Sequence, residues 1–171
     1  MSKFDIIDSH LHVYDLKVRA NFPKQNPKSL GTYEFPNEEP IIRDMPQEYA
    51  KEIANKAGVK KVVFMMCYDD CPEESQWVYD NAQNVDLVIG IVAGLDLTKH
   101  DKLKKYINEF KTNFKQPKFC GIRHHVFYDE SIILDELFQE GLAILEGNNC
   151  TFLRSVVNSH ILGWRLPQPK N

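Results

Sequence analysis

Residues 6–12, Ile6-Ile7-Asp8-Ser9-His10-Leu11-His12, decide how the chain is read. An apolar start leads into two histidines two positions apart, and alternation along an extended strand puts His10 and His12 on the same side, one pleat apart. An open, doubly wound sheet that binds nucleotides carries a glycine-rich phosphate loop after its first strand. This chain has Ser9-His10-Leu11-His12 there instead. The remaining architecture is a parallel sheet that curls toward a barrel, with its chemistry at the C-terminal strand ends.

The rest of the chain supports that choice, because apolar runs alternate with segments of helical period. The spacing predicts strands over Phe4–Asp8, Lys61–Met66, Leu87–Ala93, Phe119–Val126 and Cys150–Leu153. It predicts a helix capped by Asp44, with Pro46 early, a stripe of Tyr49, Ala50, Ile53, Ala54 and Ala57, and Gly58 after it. Three more helices are expected: Pro72 to about Asn81, begun at Asp70 or Cys71; His100–Phe114; and Asp135–Glu146, with Gly147 just past its end. The stretch from Val13 to Pro40 holds Pro23, Pro27, Gly31, Pro36 and Pro40, so it reads as a functional loop that folds over something.

Right-handed crossovers put the helices outside the curl. A complete barrel needs roughly 250 residues and eight strands, and this chain has 171 residues. The fold class is therefore α/β, a partial (β/α)8 TIM barrel of about the first five strands and four helices. Residues 1–153 form its N-terminal part and 154–171 a divergent tail.

Composition narrows the function. With 43% hydrophobic and 26% charged residues the chain can build one real core. A net charge of −3 provides no basic field for nucleic acid or an anionic membrane. Asp5 and Asp8 interrupt any signal segment, and the apolar runs Val62–Cys67 and Leu87–Leu95 are too short to span a bilayer. A soluble, cytoplasmic protein is expected. Cys67, Cys71, Cys120 and Cys150 lack paired C-x-x-C spacing and read as reduced, structural thiols.

His10 and His12 are the candidate catalytic residues, and two imidazoles so placed can hold a divalent ion such as zinc, whose bound water ionises near neutral pH. The second candidate cluster is Gly121-Ile122-Arg123-His124-His125. Gly121 permits close approach, while Arg123 can fork onto a carboxylate or lactone oxygen. Arg123 and His125, the candidate substrate-binding residues, share one face, and His124 takes the other. Asp69, Asp70 and Asp96 are read as helix caps, and His100 and His160 receive no function.

Several stretches in one order resemble the amidohydrolase-related (amidohydrolase 2) branch of the metal-dependent hydrolase superfamily, in particular its L-fuconolactonase and L-rhamnono-lactonase-like members. They are Ile7-Asp8-Ser9-His10-Leu11-His12-Val13-Tyr14-Asp15, Ser75-Gln76-Trp77-Val78, Val88-Ile89-Gly90-Ile91-Val92-Ala93-Gly94-Leu95-Asp96-Leu97, Gly121-Ile122-Arg123-His124, and Phe138-Gln139-Glu140-Gly141-Leu142 through Thr151-Phe152. The resemblance implies a (β/α)8 barrel and hydrolysis of a sugar lactone or related small carbonyl compound, with His10, His12 and Arg123 in the site. Members of the branch also work as decarboxylases, and some operate without a metal.

The family's later aspartate, its metal ligand or general base, has no counterpart, since no aspartate follows Asp135. From Leu153 onward the likeness stops, and the tail is read as an alternative end from splicing, a gene-model error or a frame change. A half barrel leaves strand edges open to a second copy, so this shortened form is expected to be a lactonase by lineage with its activity in question. The other expectation is a non-catalytic protein that binds a small acid or another subunit.

Overall fold

A computed structural model of the chain describes residues 5–15, 18, 44–126 and 130–155. Most of the proline-rich stretch read as a functional loop, His160 and all of the tail beyond Ser155 lie outside the described residues.

Five strands form one sheet in the order of the chain: β1 (Ile6–Leu11), β2 (Val59–Met65), β3 (Val88–Gly94), β4 (Lys118–His125) and β5 (Thr151–Ser155). Every adjacent pair is parallel. The connections carry α1 (Gln47–Ala57), α2 (Pro72–Val85), α3 (His100–Asn113) and α4 (Glu136–Gly147), with a 3-10 turn over Glu130–Leu134 before α4. The sheet curls into a half-barrel. A strand order that advances one step at a time through right-handed crossovers keeps all four helices on one face, the convex one.

Local sequence explains most element ends. Gly58 adopts φ 78° behind α1, and its amide donates to the Asn55 carbonyl at 3.1 Å, a left-handed stop that glycine makes without steric cost. Asp135 caps α4, its Oδ1 accepting from the amides of Leu137 (2.9 Å) and Phe138 (3.3 Å).

Other expectations shift. The cap position of α1 falls to Pro46 rather than Asp44, since Pro46 at φ −68° and ψ 160° is still extended and the helix starts one residue later. Cys71 precedes α2 without a side-chain cap bond, and α2 runs on to Val85. Gly147 closes the last turn of α4 and Asn148 follows as its C-cap. β1 begins and ends later than its apolar run suggested, and β5 continues two residues past Leu153, where Arg154 and Ser155 pair with His124 and His125.

The core lies between the convex face and the helices. Val62, Phe64, Ile91, Ala93 and Ile122 from the strands, and Met66 just past β2, pack in one buried cluster with Val78, Leu103, Ile107, Phe138 and Leu145 from the helices. Register partners share a face, and the alternate pairs Val63–Gly90, Met65–Val92 and Gly94–Arg123 therefore belong to the concave side. β4 carries one extra residue: Ile91 pairs with Phe119 and Val92 with Gly121, so Cys120 is inserted. That bulge turns both Phe119 and Ile122 toward the helices and resets the alternation for Arg123 and His125. A Cβ on Gly121 would lie 2.2 Å from the Thr151 carbonyl oxygen, so the close approach expected there is to the neighbouring strand β5. No helix among the described residues is long and apolar enough to cross a membrane.

Candidate active site at the mouth of the half-barrel

The site begins with a bulge. Between Asp8 and Leu11 β1 advances three residues while its partner advances two, from Val62 to Phe64. Asp8 Oδ1 accepts the His10 amide at 2.9 Å, a side-chain-to-backbone turn that stabilises the extra residue. Leu11 then packs against the core and His10 and His12 turn to the concave side. Their rings meet edge to face at 4.9 Å, with the two Nε2 atoms 3.2 Å apart. The two histidines are thus brought together.

Hydrogen bonding assigns their protons. His12 Nδ1 lies 2.8 Å from the Met65 carbonyl oxygen, which can only accept, so Nδ1 carries the hydrogen and Nε2 the lone pair. His10 is then the donor across the pair, through Nε2. Burial pushes the pKa of His12 down to about 4, against the pull of the Met65 carbonyl, and the neighbouring charges of His10, Arg123 and His125 add to the shift. Partial burial, followed by Arg123, lowers that of His10 as well. Both rings are neutral at pH 7. Cys67 Sγ lies 3.4 Å from His12 Nδ1.

Arg123 lies opposite Gly94 on β4 and is half-buried. Its Nη1 donates to the Met66 carbonyl at 3.3 Å. Burial lowers its pKa, opposed by the carboxylates of Asp69 and Glu74, and guanidinium remains charged at any working pH. His125 shares this side: Asp69 Oδ1 accepts its backbone amide (3.1 Å) and stands 3.0 Å from its ring Nδ1.

His124 points the other way. Its Nδ1 accepts the Leu97 amide at 3.1 Å and its ring packs on Phe138 at 5.4 Å. An acceptor nitrogen cannot also carry the proton of an ion pair, so the 3.8 Å approach of Asp96 to that atom is not a salt bridge. Burial lowers the pKa of His124, in line with a neutral, structural ring.

The three aspartates read as helix caps do other work. Asp69 binds His125. Asp70, at φ 50°, ties the loop after β2 to α3 through Lys99 and Lys102, each at 2.8 Å. Asp96 Oδ1 accepts the amide and the hydroxyl of Thr98 in a turn before α3, whose cap position is Lys99. His100 bonds the Leu137 carbonyl at 2.7 Å and joins α3 to α4.

Glu74 was not legible as a site residue. It is 1% exposed, and its carboxylate accepts the amides of Cys67 (3.1 Å) and Tyr68 (3.2 Å), pinning the backbone where β2 opens into the site. Its only sequence signal is an acid in the first turn of α2, where many helices carry one.

No protein-family model matches this chain, and no curated protein does either.

The metal expectation can be tested on the donor set. Neighbouring nitrogens on a tetrahedral zinc at about 2.0–2.1 Å stand about 3.3 Å apart, close to the 3.2 Å between the two Nε2 atoms. The Met65 carbonyl beneath His12 is also the kind of partner that fixes a ligating imidazole. A catalytic zinc takes three protein ligands, and among the described residues no group of three or more His, Cys, Asp or Glu is placed to hold one. The described donors therefore form a bite without a completed site.

Proposed function

We propose that the chain is an amidohydrolase-related hydrolase of small carbonyl substrates, with a sugar lactone as the first substrate class, acting at His10, His12 and Arg123. The observation that carries this reading is the convergence of the His10 and His12 Nε2 atoms at 3.2 Å, within the electrostatic reach of Arg123, at the C-terminal strand ends. Barrel-type sheets keep their chemistry at that end.

Each residue has work suited to its state. The Arg123 guanidinium carries five N–H donors in a fixed fork, one of which is aimed by the Met66 carbonyl. Directed at the lactone carbonyl, it stabilises the negative charge that develops on oxygen during attack. Water or a substrate oxygen entering between the rings would take over the Nε2 contacts that the two imidazoles make with each other. With a pKa of about 4, His12 is too weak a base to take a proton efficiently near pH 7, so its part is binding and orientation. The four cysteines are free thiols, which agrees with a reducing compartment, and the reading places the protein in the cytoplasm.

The test is pH-stat hydrolysis of sugar lactones by the purified chain, with and without chelator, against His10→Ala and Arg123→Ala. We expect turnover in the parent and a fall of about 100-fold in kcat/KM for Arg123→Ala. Equal rates in the parent and both variants would remove the assignment. Loss of activity with chelator would place a divalent cation on the imidazole pair. Carbon dioxide release from a carboxylated analogue would move the reaction to the decarboxylases of the same branch.

A second reading, pairing with another copy without catalysis, draws on the open edge. Ile6 and Ile7 on β1 are 43% and 54% exposed, and among the described residues that strand is paired on one side only.

A further inference from the structure

In the His10–His12 pair both nitrogens of His12 are engaged, Nδ1 on the Met65 carbonyl and the Nε2 lone pair by His10, so the pair offers no free base. Asp69 and His125 supply what is missing. Asp69 lies in the loop after β2 and His125 is the last residue of β4, 56 residues away in sequence, and they meet where that loop passes the strand end. Asp69 Oδ1 accepts the His125 amide at 3.1 Å and stands 3.0 Å from ring Nδ1 of the same residue. The first bond fixes the carboxylate against the strand, and the second fixes the imidazole against the carboxylate. Both side chains are mostly buried, at 11% and 16% exposure, so the arrangement is rigid and poorly screened. A carboxylate accepts only, so Nδ1 of the neutral ring is the protonated nitrogen and Nε2 the basic one. This side of β4 also carries Arg123, and His125 is near enough to His12 for its charge to oppose protonation there.

We infer that His125 is the general base of the site and Asp69 its positioning residue, a carboxylate–imidazole pair that activates water beside Arg123. This assignment rests on the hydrolytic reading above. It gives His125 a proton to move, where the sequence suggested only substrate binding.

The reaction balances without further groups. An O–H bond of water breaks and its proton passes to His125 Nε2, while the water oxygen bonds to the lactone carbonyl carbon and the carbonyl electron pair moves onto oxygen near Arg123. Asp69 stabilises the imidazolium formed. When the tetrahedral intermediate collapses, the ring C–O bond breaks and the Nε2 proton passes to the departing alkoxide. Lactone and water become a hydroxy acid, which releases its carboxyl proton to solvent at neutral pH, and the base is restored.

The test has one readout that needs no turnover. Nitrogen-15 NMR of the histidine rings should show neutral His125 with hydrogen on Nδ1 in the parent and a shift of hydrogen toward Nε2 in Asp69→Ala, which leaves Nδ1 no acceptor; in Asp69→Asn the same shift follows where the amide turns its nitrogen toward the ring. In the lactone assay Asp69→Asn and His125→Gln should each lower kcat by about 100-fold or more while KM changes less than about threefold. Circular dichroism and urea unfolding establish that the variants are folded, and Asp69→Asn serves as the second probe of the tautomer.

An unchanged tautomer in Asp69→Asn and Asp69→Ala overturns the positioning role, and an unchanged kcat in folded His125→Gln overturns the base. If the parent itself hydrolyses no lactone, the hydrolytic reading fails and the base assignment with it. The tautomer result then separately decides whether Asp69 sets the ring.

Discussion

Phe64 and Met65 are adjacent in β2, and both are fully buried, yet they belong to different regions of the molecule. Phe64 joins the cluster shared with the helices, as do Val62, Met66 and Ile91. Met65 lies on the concave side, where its own carbonyl holds His12 and the next carbonyl, of Met66, holds Arg123. The convex face consists of packed apolar side chains. Toward the strand ends the concave face holds imidazoles, a guanidinium and carboxylates whose geometry depends on backbone carbonyls and amides. One set of strands therefore does two jobs, divided by a period of two. Stability should reside mainly on the convex side, and the concave side should carry polar groups at some cost to it.

The strongest test of that division is Phe64→Ala. A large ring with no exposed surface leaves a cavity as well as lost burial, so urea unfolding should show a loss of about 3–5 kcal/mol. A loss under about 1 kcal/mol would break the division.

The concave side gives the next largest effect, through pH. In the unfolded chain His12 protonates as pH falls below its ordinary 6.5, whereas in the fold it stays neutral down to about 4. The folded pKa is the lower one, so this contribution to stability is complete above pH 6.5 and is lost as pH falls from 6.5 to 4. Its full size is about 3 kcal/mol. Unfolding measured across that window with chelator present should show the slope, and His12→Gln should flatten it.

A smaller effect sharpens the comparison where the two regions meet. Glu74→Gln keeps the shape but exchanges one acceptor oxygen for a donor facing the amides of Cys67 and Tyr68. A loss of about 1–3 kcal/mol is expected, with faster hydrogen exchange confined to those two amides and their neighbours. Uniform acceleration over the sheet would show that Glu74 supports the core rather than the site.

Much of this was legible in the residues. The apolar stripe on α3, Gly58 behind α1 and Asp135 before α4 act within one or two turns of chain, and the structure has them where local rules put them, whereas of the stripe expected on α1 only Ala50 and Ala54 are buried and Tyr49 and Ile53 stand 37% and 41% exposed. His10 with His12, and Arg123 apart from His124, followed from strand alternation. The expectations that moved were those in which an isolated residue has two uses. An aspartate after a strand can cap a helix or bind across the sheet, and Asp69, Asp70 and Asp96 took loop and site partners instead. The bulges at Ser9–His10 and Cys120 were hidden because an extra residue in one strand is defined only against its neighbour.

By itself the sequence determined the order of strands and helices and which imidazoles share a face, since each depends on spacing over a few residues. Tertiary structure alone decided the proton positions on His12 and His125, the aim of Arg123 and the burial of Glu74. Those depend on Met65, Asp69, Met66 and Cys67: Glu74 reaches back across seven residues, and the other three bonds span 53 to 57. Such distant carbonyls, carboxylates and amides come within about 3 Å only once parallel pairing and its bulges have set the register.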